Sequence, residues 1–154
     1  MSDTPAVTGP DLASLDQALG ADGTEIVLAL AERLRTAGRV SDVEVLVDAV
    51  LAREALGSTV LPGGIAMPHA RSAAVVTPSI AVARLPEPVS FTDGAAPVSL
   101  VLLLAAAGDQ PDDYLALLQK VATALVKPSY VADLMAATSP TELADLVLAA
   151  VSGR

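Results

Sequence analysis

Apolar residues recur at helical spacing between residues 24 and 37, where Ile26, Leu30, Leu34 and Ala37 share a face with the aliphatic stem of Arg33. Gly38 follows as a stop, so the stretch predicts an amphipathic helix from about Thr24 to Ala37. Ser41 and Glu44 form a capping-box pattern ahead of the stripe Val43, Leu46, Val47, Val50 and Leu51, which predicts a second helix ending near Gly57. Upstream, Asp11 is placed to cap a short helix carrying Leu12, Leu15 and Leu19, and residues 1–10, with Pro5, Gly9 and Pro10, read as a flexible tail.

After Gly57 the pattern changes. Pro62, Gly63, Gly64 and Pro68 leave only Ile65-Ala66-Met67 as an apolar stretch, which predicts a shaped loop with a brief strand. Ser79 to Leu85 reads as a strand that Pro86 and Pro88 interrupt. Val98 to Leu104 is a continuous apolar run, as a central strand buried on both faces requires, and two-sided burial calls for helices on both faces. Asp112 is placed to cap a helix with Leu115, Leu118, Ala122 and Leu125 inward, stopped by Pro128, and a short helix follows from about Tyr130 to Ala136. Ser139, Pro140 and Glu142 start a last helix that buries Leu143, Leu146, Val147 and Ala150. Helices, then strands, then helices, without an internal repeat, predict a single α/β domain over residues 11–154 around a small mixed sheet.

Composition narrows the chemistry. The 154 residues are 53% hydrophobic but only 2% aromatic, so the core is built from Leu, Val, Ile and Ala, and base stacking is not a function to expect. A net charge of −9 opposes binding to nucleic acid. That charge is uneven: residues 1–50 carry −6 and residues 92–154 carry −4, whereas residues 51–91 carry +1, which suits an anionic group arriving there. Without cysteine there is no disulfide framework, thiolate nucleophile or cysteine zinc site. The amino terminus lacks a basic segment followed by an apolar run, so no secretory signal is read and a cytoplasmic location is expected. The run Val98 to Ala107 is about half the length a membrane-crossing helix needs.

The near-neutral segment holds the only histidine, His69, in Gly63-Gly64-Ile65-Ala66-Met67-Pro68-His69-Ala70-Arg71. No G-x-S-x-G elbow accompanies it, a lone histidine among scattered carboxylates makes a poor metal site, and no Walker A sequence is present. Asp112-Asp113 read as a helix start rather than an acid/base pair. The remaining chemical role for the ring is to act alone, attacking phosphorus through a neutral nitrogen and holding a phosphoryl group. Arg53, Arg71, Ser58 and the amides of the glycine-rich loop are available by composition to neutralise phosphoryl oxygens. A loop histidine that only makes a structural hydrogen bond fits the same residues.

The run Arg53-Glu54-Ala55-Leu56-Gly57-Ser58-Thr59, with the segment around His69, resembles the active-site region of enzyme IIA domains of the fructose/mannitol class of the bacterial phosphoenolpyruvate-dependent sugar phosphotransferase system. Thr77 to Leu85, Val98 to Ala107 and Tyr114 to Leu118 extend the resemblance, which is greatest to the fructose-type group. It implies a three-layer α/β/α sandwich around a small mixed sheet, with no cofactor or metal. It also implies that His69 accepts a phosphoryl group from HPr or an HPr-like carrier and passes it to a cysteine of an enzyme IIB domain. Arg53 matches an arginine near the family's active histidine, and phosphoryl stabilisation is assigned to it by that match. Arg71 matches less regularly, and Gly64 and Pro68 shape the loop rather than react.

Tyr114 stands where many members carry a second histidine beside the first. Its hydroxyl donates but the ring cannot become cationic. Any IIB and membrane domains are expected on separate polypeptides, with the sugar chosen there. The alternative is a regulatory protein similar to the nitrogen-related IIA group, whose phosphorylation state controls partners.

Overall fold

The computed structural model describes residues 6–92, 94–109 and 111–151. A short 3-10 turn, Pro10–Leu12, leads into strand β1 (Ala13–Leu15), helices α1 (Gly23–Thr36) and α2 (Val43–Leu56), and strands β2 (Val60–Leu61), β3 (Ile65–Ala66) and β4 (His69–Ser72). Strands β5 (Ser79–Val89) and β6 (Val98–Ala107) follow, and then helices α3 (Pro111–Leu125), α4 (Pro128–Ala136) and α5 (Pro140–Val151). The sheet runs β1-β5-β6-β3-β2, with β4 also on β6. It is mixed: β5 and β6 are antiparallel, whereas β1 on β5, and β3 and β4 on β6, are parallel.

Strand β6 divides the interior into two apolar layers because successive side chains point to opposite faces. Val101, Leu103 and Ala105 pack with Ile26, Leu30, Leu34, Leu46 and Val50 of α1 and α2. Leu100, Leu102 and Leu104 pack with Val121, Leu134, Leu143 and Val147 of α3, α4 and α5. The continuous apolar run therefore became a central strand with helices on both faces, as its pattern predicts.

Several local expectations are corrected. The helix expected after Asp11 is a 3-10 turn and a strand, because Ala13–Leu15 gains a parallel ladder with Val82–Arg84. Residues 1–5 of the expected tail lie outside the described residues, while residues 6–10 are held in place. The Val7 carbonyl accepts from the Ile80 amide at 2.7 Å, the Ala6 carbonyl accepts from Arg39, and Thr8 is buried. Asp42, not Ser41, caps α2 by accepting from the Val45 amide, and Ser41 donates to the Ala74 carbonyl instead.

Strand β5 continues through Pro86 and Pro88. Both are exposed, and pairing with β6 breaks after Arg84 and resumes at Val89, so the prolines fall where the ladder is already irregular. Asp112 lies inside the first turn of α3 rather than before it, and the helix turns Val121, Ala124 and Leu125 inward while Leu115 is exposed. Ser139 caps α5 as expected, but the Glu142 carboxylate reaches Thr138 rather than closing on Ser139.

Arg84, on β5, ties the end of β1 to the end of α4. Its guanidinium meets the Asp16 carboxylate at 3.0 Å and donates to the carbonyls of Leu134, Met135 and Ala137, satisfying the end of α4.

Gly23 opens α1 against the chain at Phe91. A Cβ there would stand 2.3 Å from the Phe91 carbonyl oxygen and 3.1 Å from its ring. Helix propensity alone would make Gly23→Ala stabilising by up to about 1 kcal/mol. Overpacking against backbone costs about 1–3 kcal/mol and wins. Urea unfolding is expected to show a lower midpoint for Gly23→Ala, and a midpoint at or above that of the wild type would contradict this account.

Candidate functional site

Residues 65–72 run along β6 in one register: Ile65 pairs with Leu100 and His69 with Leu104. Gly63 and Gly64, at φ +94° and +79°, turn the chain into this run, and the Gly64 carbonyl accepts from the amides of Ser99 and Leu100. Pro68 has no N–H to give to β6, so the ladder is interrupted between β3 and β4, although its carbonyl still accepts from the Leu104 amide at 3.0 Å. His69 is therefore the first residue of a strand rather than a loop residue, with the sheet beneath it.

The imidazole is buried, 8% exposed, and its Nδ1 lies 2.8 Å from the Met67 carbonyl oxygen. A carbonyl only accepts, so Nδ1 carries the proton and Nε2 keeps its lone pair. Burial lowers the His69 pKa below the ordinary 6.5. The Met67 hydrogen bond opposes this, the Arg53 charge lowers the pKa further and the Glu54 charge raises it. The balance favours the neutral ring, a base with one nitrogen fixed and the other free.

Tyr114, in the first turn of α3, places its ring centroid 6.1 Å from that of His69, tilted by 48°. Burial raises the Tyr114 pKa, and the charges of Arg53 and Arg71 oppose that rise. Arg53 sits in the last turn of α2, where it donates to the Gly57 carbonyl at 2.9 Å. Arg71, exposed on β4, points a guanidinium nitrogen at the Gly108 carbonyl, 3.4 Å away. His69 and Tyr114 thus stand ring beside ring, the Arg53 charge acts on both, and the Arg71 charge acts on Tyr114. Ser58 is spent on a turn, its hydroxyl accepting from the Val60 amide, and Gly64 and Pro68 shape the approach.

One charged group at this site was missed from the sequence. Glu54, next to Arg53, accepts hydrogen bonds from the Thr59 amide at 3.1 Å, from the Thr59 hydroxyl, and from the Thr92 hydroxyl at 3.2 Å. The available signal was electrostatic: an acid in the last turn of a helix faces the negative end of its dipole, so it stays there for some other partner. The cluster can offer a neutral nitrogen nucleophile beside a guanidinium, an arrangement suited to an anionic electrophile. Among the described residues no three His, Cys, Asp or Glu side chains gather as a metal-ligand set, and no helix is long and apolar enough to cross a membrane.

The sequence matches the family described as "Phosphoenolpyruvate-dependent sugar phosphotransferase system, EIIA 2" over residues 12–150. It is 38% identical over 122 residues to the 2-O-alpha-mannosyl-D-glycerate-specific EIIABC component of Escherichia coli K12, covering 77% of this chain and only 18% of that protein's length. It is 32% identical over 152 residues to the fructose-specific EIIA component of Haloferax volcanii, covering 96% of each. Among solved structures, the nitrogen regulatory protein IIA-Ntr of Neisseria meningitidis superposes with a TM-score of 0.80 at 29% identity, covering 92% of this chain and 96% of that one. Mannitol enzyme IIA of Escherichia coli, solved in complex with phosphorylated enzyme IIB, superposes with a TM-score of 0.73 at 26% identity, covering 96% and 98%.

The lowered pKa of His69 has a consequence for stability. The unfolded chain titrates near the ordinary 6.5 and binds its proton first on acidification, so stability from the neutral buried ring is full above that value. It is lost as the pH falls toward the folded-state pKa. Between about pH 7.5 and about pH 5.5, wild type is expected to lose more unfolding free energy than His69→Gln. Equal losses in denaturant titrations at both pH values would refute the burial argument.

Proposed function

The chain belongs to the EIIA 2 family of the phosphoenolpyruvate-dependent sugar phosphotransferase system, whose domains are phosphotransferase components working through a histidine, and we propose that His69 is the phosphoryl-carrying residue. The observation that carries this reading is the bond between Nδ1 and the Met67 carbonyl, made by the chain's one histidine, which leaves Nε2 as the free base.

The Nε2 lone pair attacks phosphorus on a donor phosphohistidine of HPr or an HPr-like carrier. The Nε2–P bond forms as the donor's N–P bond breaks, and that bond's electron pair returns to the donor ring. No proton moves, because Nδ1–H stays on the Met67 carbonyl, which also stabilises the positive charge growing on the ring. Arg53 stabilises the phosphoryl oxygens. Tyr114 packs beside the ring where many members carry a histidine, so the cationic share of that stabilisation falls on Arg53, with Arg71 in support. Discharge reverses the step: a thiolate of an enzyme IIB domain attacks phosphorus, S–P forms, and the N–P pair returns to Nε2. The phosphorylated enzyme IIB bound to the Escherichia coli mannitol relative supports this class of acceptor.

We assign the carrier to cytoplasmic sugar uptake of the fructose type, on the likeness to the Haloferax volcanii protein along 96% of both chains. The second reading, a regulator whose phosphorylation state controls partner proteins, is favoured by the superposition on the Neisseria meningitidis nitrogen regulatory protein. Discharge separates the two. A sugar-transport carrier empties onto a sugar-specific IIB domain, and phospho-His69 that no such domain discharges supports the regulator.

Incubation with phosphoenolpyruvate, enzyme I and HPr is expected to add one acid-labile phosphoryl group by mass, absent in His69→Ala. No adduct on wild type, or an adduct that survives His69→Ala, would sink the proposal. Arg53→Ala is expected to slow phosphorylation on the order of 10²-fold, as loss of a charge-stabilising donor does. A rate within twofold of wild type in rapid-quench measurements would remove Arg53 from that role.

A further inference from the structure

The Met67 carbonyl sets the ring tautomer, so whatever fixes that carbonyl controls the nucleophile. Pro68 contributes no N–H, and the peptide bearing the Met67 carbonyl is therefore held only from its flanks. On the β6 side, the Pro68 carbonyl accepts from Leu104 at 3.0 Å. On the outer side, the Met67 amide donates to the Thr59 carbonyl at 3.1 Å.

Thr59 is not held by a long strand, since β2 starts only at Val60 and has two residues. It is held by Glu54. Both Thr59 donors, amide and hydroxyl, end on the Glu54 carboxylate, which takes a third hydrogen bond from Thr92. Thr59 is buried, so without that acceptor its hydroxyl and amide lose their partner away from water. The carboxylate in turn stands at the unfavourable end of α2, and three donors offset that placement.

We infer that Glu54 is a positioning residue for phosphoryl transfer: through Thr59 and the Met67 peptide it holds His69 with the proton on Nδ1 and Nε2 free. It does not touch the transferred group. Its charge also acts on the ring directly, favouring the positive charge that develops when Nε2 binds phosphorus. The inference rests on His69 as the acceptor for its effect on rate, but its effect on the ring does not depend on any donor.

The test reads the His69 ring by nitrogen NMR in the unphosphorylated full chain at neutral pH, in wild type, Glu54→Gln, Glu54→Ala and Thr59→Val. Wild type is expected almost wholly as the Nδ1–H form. Glu54→Gln keeps an acceptor oxygen and should retain most of that form, whereas Glu54→Ala should move toward a mixture of both tautomers. Phosphorylation from phospho-HPr should then slow about 10-fold or more in Glu54→Ala, with Glu54→Gln between it and wild type, as removal of a histidine's supporting partner does elsewhere.

A folded Glu54→Ala with an unchanged tautomer, losing only thermal stability, overturns the inference. If Glu54→Ala does not fold, Thr59→Val, which removes the hydroxyl donor to Glu54, decides by the same signal: movement toward both tautomers supports the inference and an unmoved ring overturns it. Wild type that accepts no phosphoryl group refutes the carrier reading instead, leaving the ring measurement to judge Glu54.

Discussion

The pairing of residues 65–72 with β6 is the constraint on which the rest of the site depends. One register carries the chain from Ile65 past the break at Pro68 to His69, so the histidine stands on the central strand of the molecule. Were the pairing to slip by one residue, every side chain of the run would change faces. Both faces of β6 are committed to burial, with Leu103 toward α1 and α2 and Leu104 toward α3–α5, so the run beside it lies between two apolar layers. The imidazole thus borrows its rigidity from the hydrophobic core.

That rigidity serves an electrostatic purpose. Sixteen of the eighteen acids fall outside residues 51–91, and the charges that act on the His69 ring are Arg53 and Glu54, adjacent in sequence at the end of α2. Burial keeps the imidazole neutral, and the Met67 carbonyl leaves one nitrogen available. Tyr114 supplies a neutral wall beside the ring, and the positive charge that acts on the ring is that of Arg53. For the phosphoryl transfer proposed above, neutral nucleophile, oriented tautomer and guanidinium are three separate requirements, and three different elements would supply them: β4, the β3–β4 break and α2.

Much of this was legible in the residues. The helical stripes of α1, α2 and α5 and the uninterrupted run of β6 predict elements within a few residues of those observed, because periodicity reports burial directly. His69 announced itself by being single and by its loop of glycine and proline, and Arg53 and Tyr114 were found by resemblance. Other features escaped for physical reasons. Ala13–Leu15 is too short for a period, and its strand state comes from the β5 ladder. Pro86 and Pro88 argue against a strand unless the ladder is known to break beside them. Asp42 outcompeted Ser41 as a cap because Ser41 was drawn to the Ala74 carbonyl, a contact between residues distant in sequence.

The two-layered apolar core, the near-neutral charge of residues 51–91 and the presence of a single histidine among glycines and prolines are all legible in composition and in spacing along the chain. Tertiary structure alone decided which nitrogen is free, which charges face the ring and that Glu54 belongs to the site. Each of those depends on through-space contacts: Met67 with His69 across a proline break, Tyr114 from another helix, and Thr92 joining Thr59 on one carboxylate. Hydrogen bonds and desolvation act over a few ångströms, and the chain brings such groups within that range only when it has folded.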